Sequence, residues 1–321
     1  MHQKSNHKNP VEKRVIAFGE VLWDHLPSGK ILGGAPFNFA FRMRSLGHDA
    51  RLVSCVGRDQ LGEEVLQQMT RLKMDLSLIQ RDDFRSTGVV QVTLDDGQPD
   101  FHIVEDVAYD HIALSDALLQ ETLNTGYIYW GTLIQRSDES RNTLRQLIEN
   151  STGELIFLDL NLRKSCFSYE TVDYSLNHST ILKLNDTEVD VISKLLNIPN
   201  ISIPNFCQQI MSRYHLDVCL VTMGERGAFC MSEQTSVYCP GYQIVVADTI
   251  GAGDAFSAGF LHQWLETRDL KSACAFGNAL GALVAMQQGA TQPVAKTDIQ
   301  DMLTSGRERI VDPTLNAYMQ M

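Results

Sequence analysis

Short apolar runs alternate with amphipathic stretches along most of the chain. "RVIAFGE" is a continuous apolar run ending at Gly19, the pattern of a buried strand. "GGAPFNFAFRMRSLG" reads as a helix entered through Gly33 and Gly34, with Pro36 in its first turn and Gly47 as its stop. "ARLVSCVG" predicts a second strand and "DQLGEEVLQQMTRLK" a second helix. This β-α-β-α rhythm predicts a parallel sheet covered by helices.

The rhythm breaks at "TGVVQVTLDDGQPDFHIVED", two strand-like runs around the turn "DDGQPD" with no helix between them. The pattern leaves two readings: a flap or dimer arm, or an edge hairpin of the main sheet. Alternation then resumes, with strands at "GYIYWG", "ELIFLDL", "TILKLN" and "DVCLVTMG". Helices are expected over Ser137–Asn150, Asp186–Leu196 and Pro204–Tyr214. A β-ribbon, "GAFCMSEQTSVYCPG", leads to two closing helices, one from Asp254 and one over Leu270–Gln287. The second is apolar nearly all round, which marks a buried helix, and Gly289 would stop it. No repeat, low-complexity segment or linker divides the chain. The expected organisation is a disordered polar tail over 1–14 and one domain over 15–312.

Composition narrows the function classes. The chain has 321 residues and a formal net charge of -12, from 27 Lys+Arg against 39 Asp+Glu. That charge disfavours nucleic acid and anionic membrane as partners, while leaving room for a local positive pocket. The 7 cysteines are scattered, odd in number and without C-x-x-C spacing, so reduced, buried thiols are expected rather than disulfides or zinc. The start has no apolar signal-like core, and no run of about 18 apolar residues occurs. A cytoplasmic protein without a membrane span is the expectation.

The candidate chemistry centres on "DTIGAGDAFSAGF". Apolar residues at Phe256, Phe260, Leu261, Trp264 and Leu265 have helical spacing, so Gly251, Ala252 and Gly253 form the turn that enters a helix. Unpaired N–H groups there, with the helix dipole, make an anion site. The stretch is not a Walker A loop, and Phe256 stands where a dinucleotide fingerprint needs its third glycine. On these residues alone, Asp254 reads as a helix cap.

The wider sequence resembles the ribokinase/PfkB-type carbohydrate kinases. "DTIGAGDAFSAGF" is similar to the family's C-terminal signature and "GGAPFNFAFRMRSLG" to its N-terminal one, in the same order and far apart. The resemblance implies a ribokinase-like three-layer α/β/α sandwich with a mostly parallel central sheet and a small β-sheet lid. Lid strands would come from about 22–33 and 86–108. It implies Asp254 as catalytic base and Gly251, Ala252 and Gly253 as the anion hole. A sugar hydroxyl is a poor nucleophile and needs its proton removed as it attacks phosphorus.

Further roles follow from the same resemblance. Asp24, Gly33, Gly34 and Asn38 would hold the sugar. Asp159, Asn161 and Arg163, at alternate positions in "LDLNLR", would lie near sugar and phosphate, Arg163 as a charge stabiliser. Lys183, Asn185 and Glu188 would lie by the phosphates, with Glu188 holding Mg²⁺ through water. Without the family, Asn185 and Glu188 form a helix capping box. Thr222, Gly224 and Gly227 would run along ATP, with Asn278 approaching adenine. Asp248 and Ile250, with Gly289, would form a K⁺ site.

Several features are most similar to bacterial fructokinases: "GEVLWDHLPSG", "GGAPFNFA", "VAYDHIAL" and "LDLNLR". That comparison points to Phe101, Ala108, Tyr109 and Asp110 as residues lining the sugar. The alternatives are a kinase for 2-keto-3-deoxygluconate, ribose or a nucleoside, or a non-catalytic sensor on the same fold. A sugar acid would want an extra cation in the pocket, and Arg42 and Arg136 are its sources. Lid sheets could also pair two copies of the chain into a homodimer.

Overall fold

The structure, a computed structural model, describes residues 14–26, 29–95, 98–123, 125–151, 154–199 and 202–319, without the side chains of 92–101. Most of the expected 1–14 tail therefore lies outside the described residues. Arg14 already belongs to the first strand, β1 (Arg14–Phe18). The remaining strands of the central sheet are β4 (Ala50–Gly57), β5 (Ile79–Asp82), β8 (Thr125–Trp130), β9 (Leu155–Asp159), β10 (Ile181–Asn185), β11 (Val218–Thr222), β12 (Ala228–Ser232) and β13 (Ser236–Cys239). Four more, β2 (Leu22–Leu26), β3 (Gly29–Gly33), β6 (Gly88–Asp95) and β7 (Gln98–Ile103), make a separate four-stranded sheet.

The central sheet has the order β13-β12-β11-β10-β9-β8-β1-β4-β5. All its pairs are parallel except those of β12 with β11 and β13, which form the antiparallel ribbon at one edge. The strands are apolar on both faces, as buried parallel strands must be. Along β1, Ile16 and Phe18 enter one core while Val15 and Ala17 enter the other. Four helices supply the first core: α4 (Asp138–Asn150), α5 (Tyr169–Asn177), α6 (Asp186–Leu196) and α7 (Ile203–Tyr214). On the opposite face lie α1 (Ala35–Ser45), α2 (Gln60–Arg71), α8 (Ala252–Thr267) and α9 (Leu270–Ala285). A short α3 (Asp116–Thr122) precedes β8. These are the three layers of an α/β/α sandwich.

One open reading is decided and two expectations need correction. The hairpin β6–β7 is not an edge of the main sheet: β6 pairs in parallel with β2, and so joins the small sheet. Helix α8 begins at Ala252, two residues before Asp254, because Gly251 takes the left-handed conformation that starts it. The packed chain also continues past 312. Leu315 is buried in the core, and Tyr318 meets Phe229 edge-on at 5.2 Å between ring centres.

Candidate active site

In an open α/β sheet, ligands gather beyond the carboxyl ends of the strands, where loops are free to converge. Here the ends of β1, β9, β10 and β11 deliver Glu20, Asp159, Asn185 and Thr222. Helix α8 points its N-terminus into the same region. Its first i→i−4 bond runs from the Ala255 N–H to the Gly251 carbonyl at 2.9 Å, so the N–H groups of Gly253 and Asp254 stand ahead of it. Ala252 instead gives its N–H to the Thr249 carbonyl at 3.3 Å, so it adds no free donor to the expected anion hole. Gly251 has φ +76°, and a Cβ there would lie 2.3 Å from the Ala290 Cβ.

Asp254 is enclosed on most sides without being sealed from solvent. Its Oδ2 accepts a hydrogen bond from Asn38 Nδ2 at 2.8 Å. Burial lifts its carboxyl from 3.8 to about 6, Asp159 adds to the rise, and Asn38, Lys183 and Arg163 oppose it. A half-buried carboxylate of this kind suits a base working near neutrality. The Asn38 Oδ1 has no partner among the described residues.

Asp24 sits on lid strand β2, its carboxyl raised by burial to about 6. The glycine at 33 has a local reason: a Cβ there would stand 2.6 Å from Asp24 Oδ2. Gly34 has φ +116°, and its Cβ would meet the Glu20 carbonyl oxygen at 2.4 Å. These two glycines let the lid strand, the end of β1 and the start of α1 converge.

Asp159 is fully enclosed. Lys183 Nζ donates to its Oδ1 at 3.0 Å, and Tyr129 Oη and Ser257 Oγ each lie 3.1 Å from its Oδ2. Its oxygens face protein, so it holds Lys183 in place rather than reaching an open cleft. Burial works against the Lys183 charge, but Asp159 and Glu188 outweigh it and raise its pKa. A Cβ on Gly253 would lie 3.3 Å from that ammonium, which therefore sits under the first turn of α8. Asn161 adopts φ +41° and turns the chain toward Arg163. The Arg163 guanidinium is exposed and makes no hydrogen bond among the described residues, yet its charge acts on Glu20, Asp24 and Asp254 alike.

The capping box read in the sequence is present. Asn185 Oδ1 accepts from the Glu188 N–H and Glu188 Oε2 from the Asn185 N–H, both at 2.8 Å. Glu188 Oε1 accepts from the Leu162 N–H at 2.7 Å, which ties α6 to the "LDLNLR" loop. Burial raises the Glu188 carboxyl, against the pull of Lys183. Thr222 ends β11. Gly224 has φ +56° and open space where a Cβ would point. Gly227 is instead a crossing point, since its Cβ would meet the Cys239 carbonyl oxygen at 2.1 Å. Asn278 spends its amide on the Pro240 carbonyl at 2.8 Å, which ties α9 to the end of the ribbon. Asp248 Oδ1 and Oδ2 accept from the Ile250 and Gly289 N–H groups, each at 3.0 Å, joining the segments expected around a cation.

The lid-side residues behave otherwise than expected. Ala108, Tyr109 and Asp110 are buried. The Tyr109 ring lies under Gly88, where a Cβ would be 2.4 Å from its edge, and its hydroxyl accepts from Arg136 at 3.0 Å. The Phe101 side chain lies outside the described residues. Arg136 grips Asp110 with two bonds of 2.8 Å. A separate groove of about 610 Å³ lies between Trp23, Lys30, α2 and residues 288–292, and of the predicted site residues it is lined only by Gly289.

Glu20 was not singled out by the sequence. It is buried, and its Oε1 accepts the Ala35 N–H at 3.1 Å. The signal was a carboxylate directly after a buried strand, which looks like an ordinary turn residue until α1 is seen to start against it.

Residues 26–297 match the family described as pfkB family carbohydrate kinase. The chain belongs to that family. This pfkB kinase is 26% identical over 261 residues to a fructokinase of Salmonella typhimurium, covering 77% of this chain and 83% of that protein. A fructokinase from Xylella fastidiosa, solved with ATP bound, superposes with a TM-score of 0.80 at 20% identity, over 91% of this chain and 98% of its own. A Vibrio cholerae fructokinase, solved with fructose, ADP and calcium, gives 0.78 at 22% identity, over 91% and 99%. The structural likenesses establish the ribokinase-like fold. Among the described residues, no helix of this pfkB kinase is long and apolar enough to cross a membrane.

Proposed function

We propose that this pfkB-family kinase transfers the γ-phosphoryl group of ATP to a hydroxymethyl hydroxyl of a neutral sugar, fructose foremost. The observation carrying the choice of a neutral sugar is the state of the arginines. The two arginines expected as sources for binding a sugar acid, Arg136 and Arg42, are both engaged, and the exposed Arg163 faces the carboxyls of Glu20, Asp24 and Asp254. Arg136 is clamped to Asp110, and Arg42 donates to the carbonyls of Gln292 and Ala290. Glu20, within electrostatic reach of Asp254, and Asp24, within reach of Arg163, add acidic groups on this side of the site, which suits hydroxyls better than a substrate carboxylate. The named fructokinases among the relatives support the same choice.

In this reading Asp24 and Asn38 hold the sugar. The proton of the attacking hydroxyl passes to Asp254, the oxygen bonds to the γ-phosphorus, and ADP leaves. The N–H groups at the start of α8 stabilise charge on the transferring phosphoryl, with Lys183 beneath and Arg163 in front. ATP lies along Asn185–Glu188 and Thr222–Gly224. Among the described residues no cluster of three metal-binding side chains occurs. Glu188 keeps one free lone pair on each oxygen after its N–H bonds. That set fits Mg²⁺ held by phosphates and waters, with Glu188 reached through water. The ion would supply charge neutralisation on the phosphates. A K⁺ ion at Asp248 and the Ile250 carbonyl is the second cation of this proposal.

Replacing Asp254 by Asn should cut turnover by about 10²–10⁴-fold while ATP binding, measured by calorimetry, persists. Near-normal turnover would refute the base. ADP release across fructose, ribose, adenosine and 2-keto-3-deoxygluconate, with and without K⁺, identifies the acceptor. Turnover of the sugar acid in preference to the neutral sugars would reject the argument from the arginines.

A further inference from the structure

Arg42 lies on α1 one turn after Asn38 and is 1% exposed. Among the described residues it has no carboxylate partner. Nη1 donates to the Gln292 carbonyl at 2.8 Å, Nη2 to the Ala290 carbonyl, and Nε meets no acceptor. A cation buried without an ion pair in direct contact is costly, and an apolar side chain of similar volume would fill the space more cheaply. Its retention here calls for a functional account.

The carbonyls it holds are not on an arbitrary loop. Ala290 packs against Gly251 so closely that no side chain fits between them. Gly289 donates its N–H to Asp248, whose other oxygen takes the Ile250 N–H. Residues 289–292 thus form the back wall of the turn that begins α8. Arg42 fastens that wall to α1, the same helix whose Asn38 holds Asp254. Other groups acting on the Asp254 charge come from every side: Asp159 on β9, Lys183 on β10, Arg163 in the loop after β9, Glu20 after β1 and Tyr129 on β8. Arg42 adds a fixed positive charge from α1, in electrostatic contact with Asp254.

We propose that Arg42 is a positioning residue for phosphoryl transfer, tying the wall behind the N–H turn to the helix that orients the base and setting a permanent cation behind that base. The inference rests on reading Asp254 as the base. It uses neither the sugar's identity nor a bound metal.

The test compares Arg42→Met and Arg42→Lys with the parent enzyme by kcat, KM for ATP, the pH profile and amide exchange over 248–256. Arg42→Met should lose about 10- to 100-fold in kcat, the scale of a misplaced reacting group, with KM for ATP changed less than about threefold. Its acidic limb should move up by about half a pH unit as a positive charge is lost, and exchange at Ala252 and Ala255, whose N–H groups are bonded within the turn, should quicken. Arg42→Lys keeps the charge and should leave the limb in place, with a smaller loss of kcat. A folded Arg42→Met enzyme with kcat within about twofold of the parent, an unmoved limb and unchanged exchange would overturn the proposal. Should the methionine variant fail to fold, Arg42→Lys decides: parental kcat and exchange reject the tie, and lower kcat with faster exchange supports it. Failure of the base itself would show separately, as near-normal turnover in Asp254→Asn.

Discussion

Glu20 offers a stability measurement that needs no substrate. Burial lifts its carboxyl from 4.5 to about 7, against bonds from its own and the Ala35 N–H groups and against the Arg163 charge, while Asp254 adds to the rise. The folded chain therefore binds this proton more tightly than the unfolded chain. The resulting stability is full below about 4.5 and is lost as pH rises through about 7. At about 1.4 kcal/mol per pH unit, the whole effect is about 3 kcal/mol, most of which falls between about pH 5 and pH 8. Glu20→Gln keeps an oxygen for the Ala35 N–H and cannot ionise. Urea denaturation of both proteins, followed by the fluorescence of buried Trp130, gives the difference in stability at each pH. The variant should gain on the parent by about 2–3 kcal/mol from about pH 5 to pH 8. A difference that changes by less than about 0.5 kcal/mol would refute the claim that this carboxyl is held protonated by burial.

Other consequences can be checked with simple variants. If Asp254 is the base of the proposed function it must be ionised to take a proton, and with its carboxyl raised to about 6, kcat/KM should climb through that pH and level above it. A limb at the ordinary carboxylate pH would contradict this. Lys183→Met strands the enclosed Asp159 carboxylate and should cost about 3–5 kcal/mol in urea unfolding. Adding Asp159→Asn should restore much of that loss, and no restoration would show that the pair is not the cause. Gly251→Ala must fit a Cβ 2.3 Å from that of Ala290 at φ +76°, and should lower stability by at least about 2 kcal/mol as well as turnover.

The legible parts of the fold were those governed by local pattern. Helix α6 lies where its apolar spacing and its Asn185–Glu188 box placed it, because both signals act within one turn. Strands β1, β8, β10 and β11 were visible as apolar runs for the same reason. The lid was harder to read from pattern. Strands β2 and β3 are five residues each and carry Asp24, His25 and Lys30; β3 pairs with β2, and β2 owes its place to pairing with β6 some sixty residues away. In the site, residue types were readable while their partners were not. Tyr129 and Ser257 converge on Asp159 from β8 and α8. Arg42 looked like a ligand for a sugar acid, and only the fold reveals the carbonyls it meets.

The charge pattern explains how an acidic protein can run phosphoryl transfer here. Three carboxyl groups, Glu20, Asp24 and Asp254, lie within electrostatic reach of Arg163, and burial raises each of them. With Glu20 held near 7 and the other two near 6, the cluster carries less than its full negative charge at neutral pH. Meanwhile Lys183 stays charged, because Asp159 is enclosed beside it and cannot be screened by water. Negative charge is therefore softened on the acceptor side and positive charge is fixed beneath the α8 turn. In the proposed function, that polarity would draw a phosphate toward the N–H groups and leave Asp254, the group between the two sides, to meet a hydroxyl. The same reasoning makes Arg42 consequential: it is the cation that sits behind this boundary and belongs to neither side's ion pairs.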